Sequence, residues 1–571
     1  MAHVSLFVAA CAVGLVLVSG GLGRRRTGQP GPRAGQRGRA GASSPKEWSG
    51  QSVGQAVFGS ARAAPTADGA RWARHADLRC LVCTGVPPGR LVIGEEVGRA
   101  LRRRILAAEP AQSLAVIGPT QSGKTTALAV PAILGWDGPV LAASVKTDLI
   151  RDTLDWRRHC GTVWCFDPAG TTGLPRSVWS PVSASRTWSR ARRVAADLTE
   201  VAHSEGTTAD GEFWYATAAK LLAPLLFAAA SANRTMADVL RWVDTQETEE
   251  VLDLLHGAGV PEALQAARAT WLRDERQRSA VYTTAETVLE PFAEPGVADA
   301  ATIGDDTPPY GILAARTSLL QCEASSPVAG SDIDPDALLR GRHTLYVCAP
   351  AHDQQRLRAL FAALVAQVVH AAFAASARAG RPLEPPLLVV LDEAANIAPL
   401  KELDGLAATC AGHGVQLVTV WQDLAQVRAR YGERAATVVN NHRAKLFLPG
   451  IADPGTLDFA SHLAGDQEIA TPSVTRGARG ERTITTSSQV RRLLPPDTLR
   501  RLPKGSGVLL YGALPPARVR LKPWFSDAEL GMRGGAAFLA DARPAGRASF
   551  SRRGHGLRRR KQGGAALQSV P

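Results

Sequence analysis

The sequence predicts an α/β fold in which a parallel sheet is interrupted by an all-helical insert. Three observations predict it. A Gly-rich loop lies between a β-prone segment and a helix-compatible run at residues 113–134, and an apolar run ending in two acids lies at residues 387–393. Around them, β-prone segments alternate with helical runs, a pattern typical of a parallel sheet with right-handed crossovers and with ligands at the carboxyl ends of its strands.

The loop has the spacing of a phosphate-binding loop: Gly, four residues, then Gly-Lys-Thr. Its glycines permit a turn that points backbone N–H groups at a phosphate, and the following helix adds its dipole. Lys124 supplies a cation for the β and γ oxygens, and the Thr125 hydroxyl is a ligand for Mg²⁺. We therefore expect ATP and Mg²⁺ to bind along the loop, whose residues are Gly118, Pro119, Thr120, Gln121, Ser122, Gly123, Lys124, Thr125 and Thr126.

The run Leu-Leu-Val-Val-Leu-Asp-Glu at 387–393 predicts a strand that is buried on both faces of the sheet, because it is continuously apolar. Asp392 is placed to hold Mg²⁺, and Glu393 to orient and deprotonate the attacking water. The alternative is an ordinary strand followed by a solvated acidic loop, which the upstream loop disfavours. We expect folding to bring the Lys124 turn and the two acids onto adjacent strand tips, where they share one metal-bound triphosphate.

A further strand with a functional tip follows the acids. Residues 414–423 are β-prone and end in Gln422 and Asp423. In motor ATPases, a glutamine at the tip of the strand beside the acidic one can sense the γ-phosphate, so Gln422 is a candidate sensor. The alternative is a capping or loop amide. The remaining pattern predicts helices at 96–108 and 353–379 and strands at 139–143, 162–168, 344–348 and 444–448, with 508–511 and 519–521 completing the sheet edge.

Residues 184–324 carry little strand signal and several helical runs, at 212–230, 236–255, 261–273 and 277–292. A helical block between the two halves of a nucleotide site predicts an all-α domain inserted in the sheet. The predicted organisation is a transmembrane anchor, a basic linker, the first part of the nucleotide-binding domain, the helical insert, the second part of that domain and a basic tail, at residues 1–23, 24–75, 76–183, 184–324, 325–527 and 528–571.

The positive charge lies at the two ends of the chain. The formal net charge is +14, but residues 1–75 carry ten basic and two acidic residues, and residues 543–571 carry eight basic residues and no acid. The remainder is close to neutral, so the overall charge is weak support for a nucleic-acid partner. Both ends are predicted to be disordered, because Gly, Ala, Arg, Pro and Ser bury too little apolar surface to offset chain entropy. Contact with DNA or lipid is the functional alternative for the C-terminal tail.

Residues 4–22 contain no charged residue and are followed at once by three arginines at 24–26. This pattern predicts one membrane-spanning signal anchor in the inner or plasma membrane, with the bulk of the chain in the cytoplasm. A cleaved signal peptide is the alternative, disfavoured because its positive charge would precede the apolar run.

Eight scattered cysteines, including an isolated CxxC at Cys80 and Cys83, predict reduced thiols and no zinc site.

Several motifs recur here in a familiar order. They are the loop at 118–126, Ser-Val-Lys-Thr-Asp-Leu at 144–149, Phe-Trp at 213–214, Leu-Asp-Glu-Ala-Ala-Asn at 391–396, and Trp-Gln-Asp-Leu-Ala-Gln at 421–426 followed by Tyr-Gly at 431–432. Over about residues 78–525 the chain resembles the type IV coupling proteins, the TraG/TraD-type ATPases of conjugative DNA transfer.

The resemblance implies a membrane-anchored, RecA-like motor that assembles as a homo-hexameric ring and couples ATP hydrolysis to DNA translocation. It implies delivery of a DNA–protein substrate, in the first instance single-stranded DNA with a bound relaxase, to a type IV secretion channel. The sequence itself leaves single-stranded against double-stranded DNA open. The helical insert would receive the substrate on the cytoplasmic side.

The chain departs from the family pattern in two places. Members commonly have two N-terminal membrane spans, and one is visible here. Many carry an arginine finger shortly before the glutamine strand, but residues 409–414 contain no arginine, which leaves Arg428 and Arg430 as candidates. Three alternative functions remain: an FtsK-like duplex DNA pump, a secretion ATPase that acts on protein only, and a membrane-tethered adaptor that binds nucleotide without turnover.

Overall fold

The computed structural model describes residues 69–535, apart from 86–87, 98–103, 203–208, 295–296, 298–300, 302–331, 351–352, 399 and 477–481. The predicted membrane anchor, most of the predicted linker and most of the predicted tail lie outside the described residues. Two predicted boundaries, at 76 and 528, need correction. Residues just before 76 and just after 528 pack on the folded body, although they were assigned to the linker and to the tail. The N–H of Ala70 donates to the Asp466 carbonyl (2.8 Å), and Arg533 donates to the Leu134 carbonyl (2.9 Å).

The described residues contain fourteen strands. In chain order they are β1 (Val82–Cys83), β2 (Val92–Glu96), β3 (Ile105–Ala107), β4 (Leu114–Ile117), β5 (Val140–Ser144), β6 (Val163–Phe166), β7 (Thr344–Cys348), β8 (Leu387–Asp392), β9 (Val415–Trp421), β10 (Ala444–Phe447), β11 (Asp466–Arg476), β12 (Arg482–Arg492), β13 (Ser506–Tyr511) and β14 (Ala517–Arg520).

Twelve of these strands form one sheet, in the order β1-β3-β2-β14-β13-β10-β4-β9-β8-β5-β7-β6. From β10 to β6 all neighbours are parallel, as predicted, and from β10 to β1 all are antiparallel. The predicted edge strands, here β13 and β14, are not at the edge, since β2, β3 and β1 lie beyond them. The predicted helix at 96–108 is contradicted at both of its ends: Glu96 is the last residue of β2, and Ile105–Ala107 is a strand whose Leu106 is fully buried. Residues 98–103 lie outside the described residues. At 105–107, cross-strand pairing overrides helix propensity.

The helices are α1 (Val130–Gly135), α2 (Asp148–Cys160), α3 (Trp188–Ala202), α4 (Ala209–Ser231), α5 (Met236–Asp244), α6 (Glu249–Ala258), α7 (Pro261–Trp271), α8 (Glu275–Leu289), α9 (Pro335–Leu338), α10 (Gln354–Ala379), α11 (Ala394–Ile397), α12 (Leu403–His413), α13 (Leu424–Tyr431), α14 (Ala435–Asn441), α15 (Pro454–Ala464), α16 (Pro496–Arg500) and α17 (Ala528–Arg533). Short 3₁₀ turns lie at Ser183–Ser185, Glu290–Ala293, Gly432–Arg434 and Trp524–Ser526.

From α3 to α8 the described residues are helical and contain no strand, as the sequence predicts. The predicted helix at 236–255 is two helices, α5 and α6, because the chain turns between them at Gln246, whose φ is 51°. The limits of the insert at 184 and 324 stay a prediction. Two helices, α4 and α10, are long and apolar enough to cross a membrane, but more than half of each apolar window is buried inside the protein.

Alternate residues of a strand face opposite sides of the sheet, so each side has its own hydrophobic core. Three side chains of β8, Leu387, Val389 and Leu391, pack in the core that contains α3 to α8 and α10. The other two apolar side chains, Leu388 and Val390, pack in the core that contains α1, α2 and α17. The predicted strand buried on both faces is therefore confirmed, and its acidic end is fixed by packing from both sides.

A long two-stranded ribbon, β11–β12, was not predicted from the sequence. Its eleven residue pairs run from Asp466 with Arg492 to Arg476 with Arg482. The segment lacks the apolar alternation of a half-buried strand, and Val474 and Val490 are exposed. The available signal was the density of β-branched residues, threonine above all, which favours strands without burial.

A fully buried histidine, His442, lies beneath β9. Its Nδ1–H donates to the Val438 carbonyl (2.8 Å), since that oxygen can only accept, and its Nε2 accepts from the Thr419 hydroxyl (3.0 Å). The Thr419 oxygen in turn accepts from Trp421 Nε1 (2.9 Å). Burial lowers the pKa of His442 to about 4.

We expect this histidine to make the protein sensitive to mild acid. The unfolded chain binds a proton near pH 6.5 and the folded chain only near pH 4, so its contribution is complete above pH 6.5 and is lost as the pH falls toward 4. The free energy of unfolding should fall by about 2 kcal/mol between pH 7 and pH 5 from this residue alone. Urea unfolding of wild type and His442→Gln at both pH values measures it. If the free energy of unfolding depended on pH equally in the two proteins, His442 would not be the source of the acid sensitivity.

Candidate active site

Strand pairing brings four strand ends to one edge of the sheet. β4 pairs with β9, β9 with β8, and β8 with β5; Ile117 lies opposite Trp421, and Asp392 opposite Ser144. One expectation is corrected here: the loop strand and the acidic strand are not adjacent, because β9 is hydrogen-bonded between them. Strand order is a tertiary property that spacing along the chain does not encode. The two tips still meet, because the Thr125 side chain spans the gap.

The phosphate-binding loop follows β4 and enters a π-helical turn, Thr125–Ala129, that continues as α1. Two of its glycines are required by geometry. A Cβ on Gly118 would lie 2.8 Å from the side chain of Ser122, and Gly123 has a φ of 94°, which favours glycine. The geometry therefore requires glycine at both positions where the phosphate-binding pattern has it.

Lys124 is the buried cation of this loop. Its side chain is only 5% exposed, and Nζ donates to the Gly118 carbonyl (3.1 Å), which occupies one of its three N–H donors. Burial lowers the pKa of Lys124, and the charges of Asp392 and Glu393 oppose that effect. The cation is thus held among carboxylates with donors to spare for phosphate oxygens.

Asp392 closes the site from the β8 side. Its Oδ2 accepts a hydrogen bond from Thr125 Oγ1 (3.1 Å) and a longer one from Ser144 Oγ (3.5 Å). Its Oδ1 is buried and has no hydrogen-bond partner among the described residues. Burial raises the pKa of Asp392 to about 6, with Asp148 adding to the rise and Lys124 opposing it. A buried carboxylate oxygen with an open lone pair beside a threonine hydroxyl fits Mg²⁺, which takes oxygen ligands.

Glu393 follows in a left-handed backbone conformation, with φ 65° and ψ 56°. For a residue with a Cβ this costs on the order of 1 kcal/mol, a strain that is typical of functional sites. Its Oε2 accepts from Asn396 Nδ2 (3.4 Å), and its Oε1 lies 4.0 Å from Lys146 Nζ. The side chain is 12% exposed, so it faces a site that water can enter.

Gln422 lies directly beside the loop, because the Gly118 N–H donates to the carbonyl of Trp421 (3.0 Å). The turn after β9 is capped by Asp423, whose Oδ1 accepts from the N–H of Gln426 (2.8 Å). The capping position of this turn is therefore occupied by Asp423. Gln422 lies at the tip between the loop and the acidic strand, and its role as a γ-phosphate sensor or as a loop amide stays a prediction.

The structure thus brings together the residues that the sequence proposed for phosphate, metal and water, and their roles stay predictions. Sequence reasoning gave no role to four side chains that surround the acids: Ser144, Lys146, Asp148 and Asn396. The signal that could have found them is their position just after strands predicted to end at the same edge.

Arg428, a candidate arginine finger, donates to Asp453 of its own chain (3.4 Å). Cys80 and Cys83 are free cysteines in the structure.

Two protein-family models match the chain. The model described as "Type IV secretory system Conjugative DNA transfer" matches residues 89–306. The model described as "TraM recognition site of TraD and TraG" matches residues 386–504. Among curated proteins, a conjugal transfer protein TraG of Escherichia coli is 26% identical over 67% of this chain and 61% of its own length. Protein VirD4 of Agrobacterium fabrum is 23% identical over 72% of this chain and 58% of its own length. The chain spans about 60% of the length of the curated relatives it matches.

Solved structures of a bacterial conjugative coupling protein, TrwB, have the same fold. Its unbound form, lacking 70 N-terminal residues, aligns with a TM-score of 0.54 at 17% identity over 77% of this chain and 95% of that one. TrwB in complex with ADP and Mg²⁺ aligns with a TM-score of 0.52 at 18% identity over 77% and 96%. The predicted RecA-like P-loop fold is confirmed by this likeness.

Proposed function

The chain belongs to the type IV coupling protein family, and on that premise we propose that it is an ATP-driven DNA translocase that delivers a DNA–protein substrate to a type IV secretion channel. The observation that carries the proposal is the 3.1 Å hydrogen bond between Thr125 Oγ1 and Asp392 Oδ2. It joins the phosphate-binding loop to the acidic strand across 267 residues of chain, in the arrangement that hydrolysis of a triphosphate needs.

In the proposed mechanism, the loop N–H groups and Lys124 bind the phosphates of ATP, and Thr125 and Asp392 would hold Mg²⁺. The ion would neutralise charge that develops on the β and γ oxygens. Glu393 orients a water and accepts its proton. Gln422, beside the loop on the strand between the two halves of the site, responds to loss of the γ-phosphate. Because β9 is hydrogen-bonded to both β4 and β8, a shift at its tip reaches both halves.

One contact supports a link from hydrolysis to the helical insert. Lys401, eight residues after Glu393, lies 3.1 Å from Glu200 near the end of α3. The pair is half-exposed and weak as a source of stability. Its importance is positional, since it connects the chain that follows Glu393, the proposed catalytic base, to the helices proposed to receive the substrate.

Further parts of the proposal rest on the family and on the sequence. A single subunit cannot enclose a DNA strand, so we propose a homo-hexameric ring. The apolar run at 4–22 and the arginines after it support an inner-membrane anchor with the described body in the cytoplasm. The partners are then DNA with a bound relaxase, components of the secretion channel, and the membrane.

Phosphate release from ATP–Mg²⁺ by the full chain in detergent, with and without single-stranded DNA, tests the proposal. We expect turnover that single-stranded DNA stimulates several-fold, because ring assembly on a strand completes the site between subunits. Stimulation by duplex DNA alone would favour an FtsK-like pump, and turnover indifferent to DNA would favour a protein-only secretion ATPase. Nucleotide binding without phosphate release would indicate an adaptor and contradict the proposal.

A further inference from the structure

A second lysine faces the active site from the strand on the other side of the acids. β5 pairs with β8 in a register that sets Ser144 opposite Asp392, so Lys146 lies just beyond the end of β5, across from Glu393. Its backbone N–H donates to Ser144 Oγ (3.2 Å), which fixes the turn, and its Nζ lies 4.0 Å from Glu393 Oε1. The Lys146 side chain is 54% exposed, so the ammonium lies at the rim of the site.

We propose that Lys146 binds the γ-phosphate of the bound triphosphate, and that in its absence the same ammonium holds the Glu393 carboxylate. Both oxygens of Glu393 have a partner, Asn396 at Oε2 and Lys146 at Oε1. A γ-phosphate would draw Lys146 away and leave Oε1 free to accept a hydrogen bond from water. The inference rests on the proposed ATPase function and adds a residue to it.

The physical properties of this pair suit an exchange of partners. A half-exposed ion pair at 4.0 Å is weak, because solvent screens it and the lysine stem is flexible. A terminal phosphate carries more negative charge than one carboxylate and so competes for the ammonium.

The strand order places Lys146 as a second candidate sensor of the γ-phosphate, besides Gln422. β8, which carries the acids, lies between β9 and β5. Gln422 therefore approaches from one side and Lys146 from the other. Lys124 differs from both, since it is anchored to the Gly118 carbonyl in the loop and would contact β as well as γ oxygens. Lys146 can reach only what extends past the loop, so its contribution should depend on the γ-phosphate.

Nucleotide affinity separates a γ-phosphate contact from a general structural role. We expect Lys146→Met to weaken binding of the ATP analogue ADPNP with Mg²⁺ by about tenfold, as loss of one charge-assisted contact does, and to change ADP binding by less than about twofold. Lys146→Arg should restore most of the loss. Lys522→Met, which removes a partly exposed lysine that pairs with Asp527 and has no part in the proposed mechanism, should leave both affinities unchanged. An equal loss of ADP and ADPNP binding in Lys146→Met would overturn the proposal.

A double-mutant cycle tests the exchange itself. Glu393→Gln removes the charge that competes for Lys146, so it should tighten ADPNP binding several-fold in the presence of Lys146 and have no effect in Lys146→Met. The same change in both backgrounds would show that the two residues act independently and would overturn the exchange. A wild-type protein that binds no nucleotide would instead refute the proposed function, so the two failures are distinguishable.

Discussion

Replacing Lys124 with alanine is expected to abolish ATP hydrolysis and to weaken nucleotide binding by about 100-fold or more. The lysine is the buried cation of the loop, and the two acids that face it, Asp392 and Glu393, would be left without their balancing charge. An incoming triphosphate would then meet a net negative site instead of a cation. Phosphate release at saturating ATP and displacement of a fluorescent nucleotide measure the two effects.

Lys445→Ala is the matched control for this experiment. Lys445 is also a lysine whose pKa burial lowers, and it lies on β10, the strand beside β4. Its ammonium donates to the His442 carbonyl (2.6 Å) and does not face the loop. We expect Lys445→Ala to keep its ATPase activity. Undiminished turnover in Lys124→Ala would end the assignment of the loop as the nucleotide site.

The nucleotide site could be predicted from the sequence because each of its parts is local. A phosphate-binding loop needs particular residues at fixed spacing, and a strand buried on both faces needs an unbroken apolar run. Residues 118–126 match the first pattern and residues 387–393 the second, so both could be found from the sequence. What remained open was relative position. The position of β9 between β4 and β8 depends on the pairing of β9 with β4, which joins distant parts of the chain such as Leu114 and Val418. Lys146 and Ser144 gained a role only when the register of β5 on β8 was known.

The failures of prediction lie where tertiary packing or an unusual pattern decides the local structure. Ile105–Ala107 is a strand because β1 and β2 pair with it, although the sequence around it predicts a helix. The ribbon β11–β12 is exposed along its described side chains, so it has none of the apolar alternation by which strands are usually found. In neither case does the apolar pattern of the segment itself show the strand pairing that determines its structure.

Replacing Glu393 with glutamine is expected to lower kcat by about 10³-fold while ATP still binds, which separates the chemical step from nucleotide binding. Glutamine has the same shape, and its amide oxygen can still accept the hydrogen bond from Asn396. What it loses is the ability to take a proton from water. The neighbouring change, Asp392→Asn, should act differently, since it removes the negative charge and one of the two oxygens of the side chain proposed to hold Mg²⁺.

The two variants therefore form a matched pair at successive positions of one strand end. Glu393→Gln should retain Mg²⁺-dependent nucleotide binding with no turnover, and Asp392→Asn should lose the Mg²⁺ dependence of binding as well as turnover. Equilibrium binding with and without Mg²⁺, together with single-turnover phosphate release, distinguishes them. Normal single-turnover rates in Glu393→Gln would move the catalytic base to another residue, because no amide can perform that role.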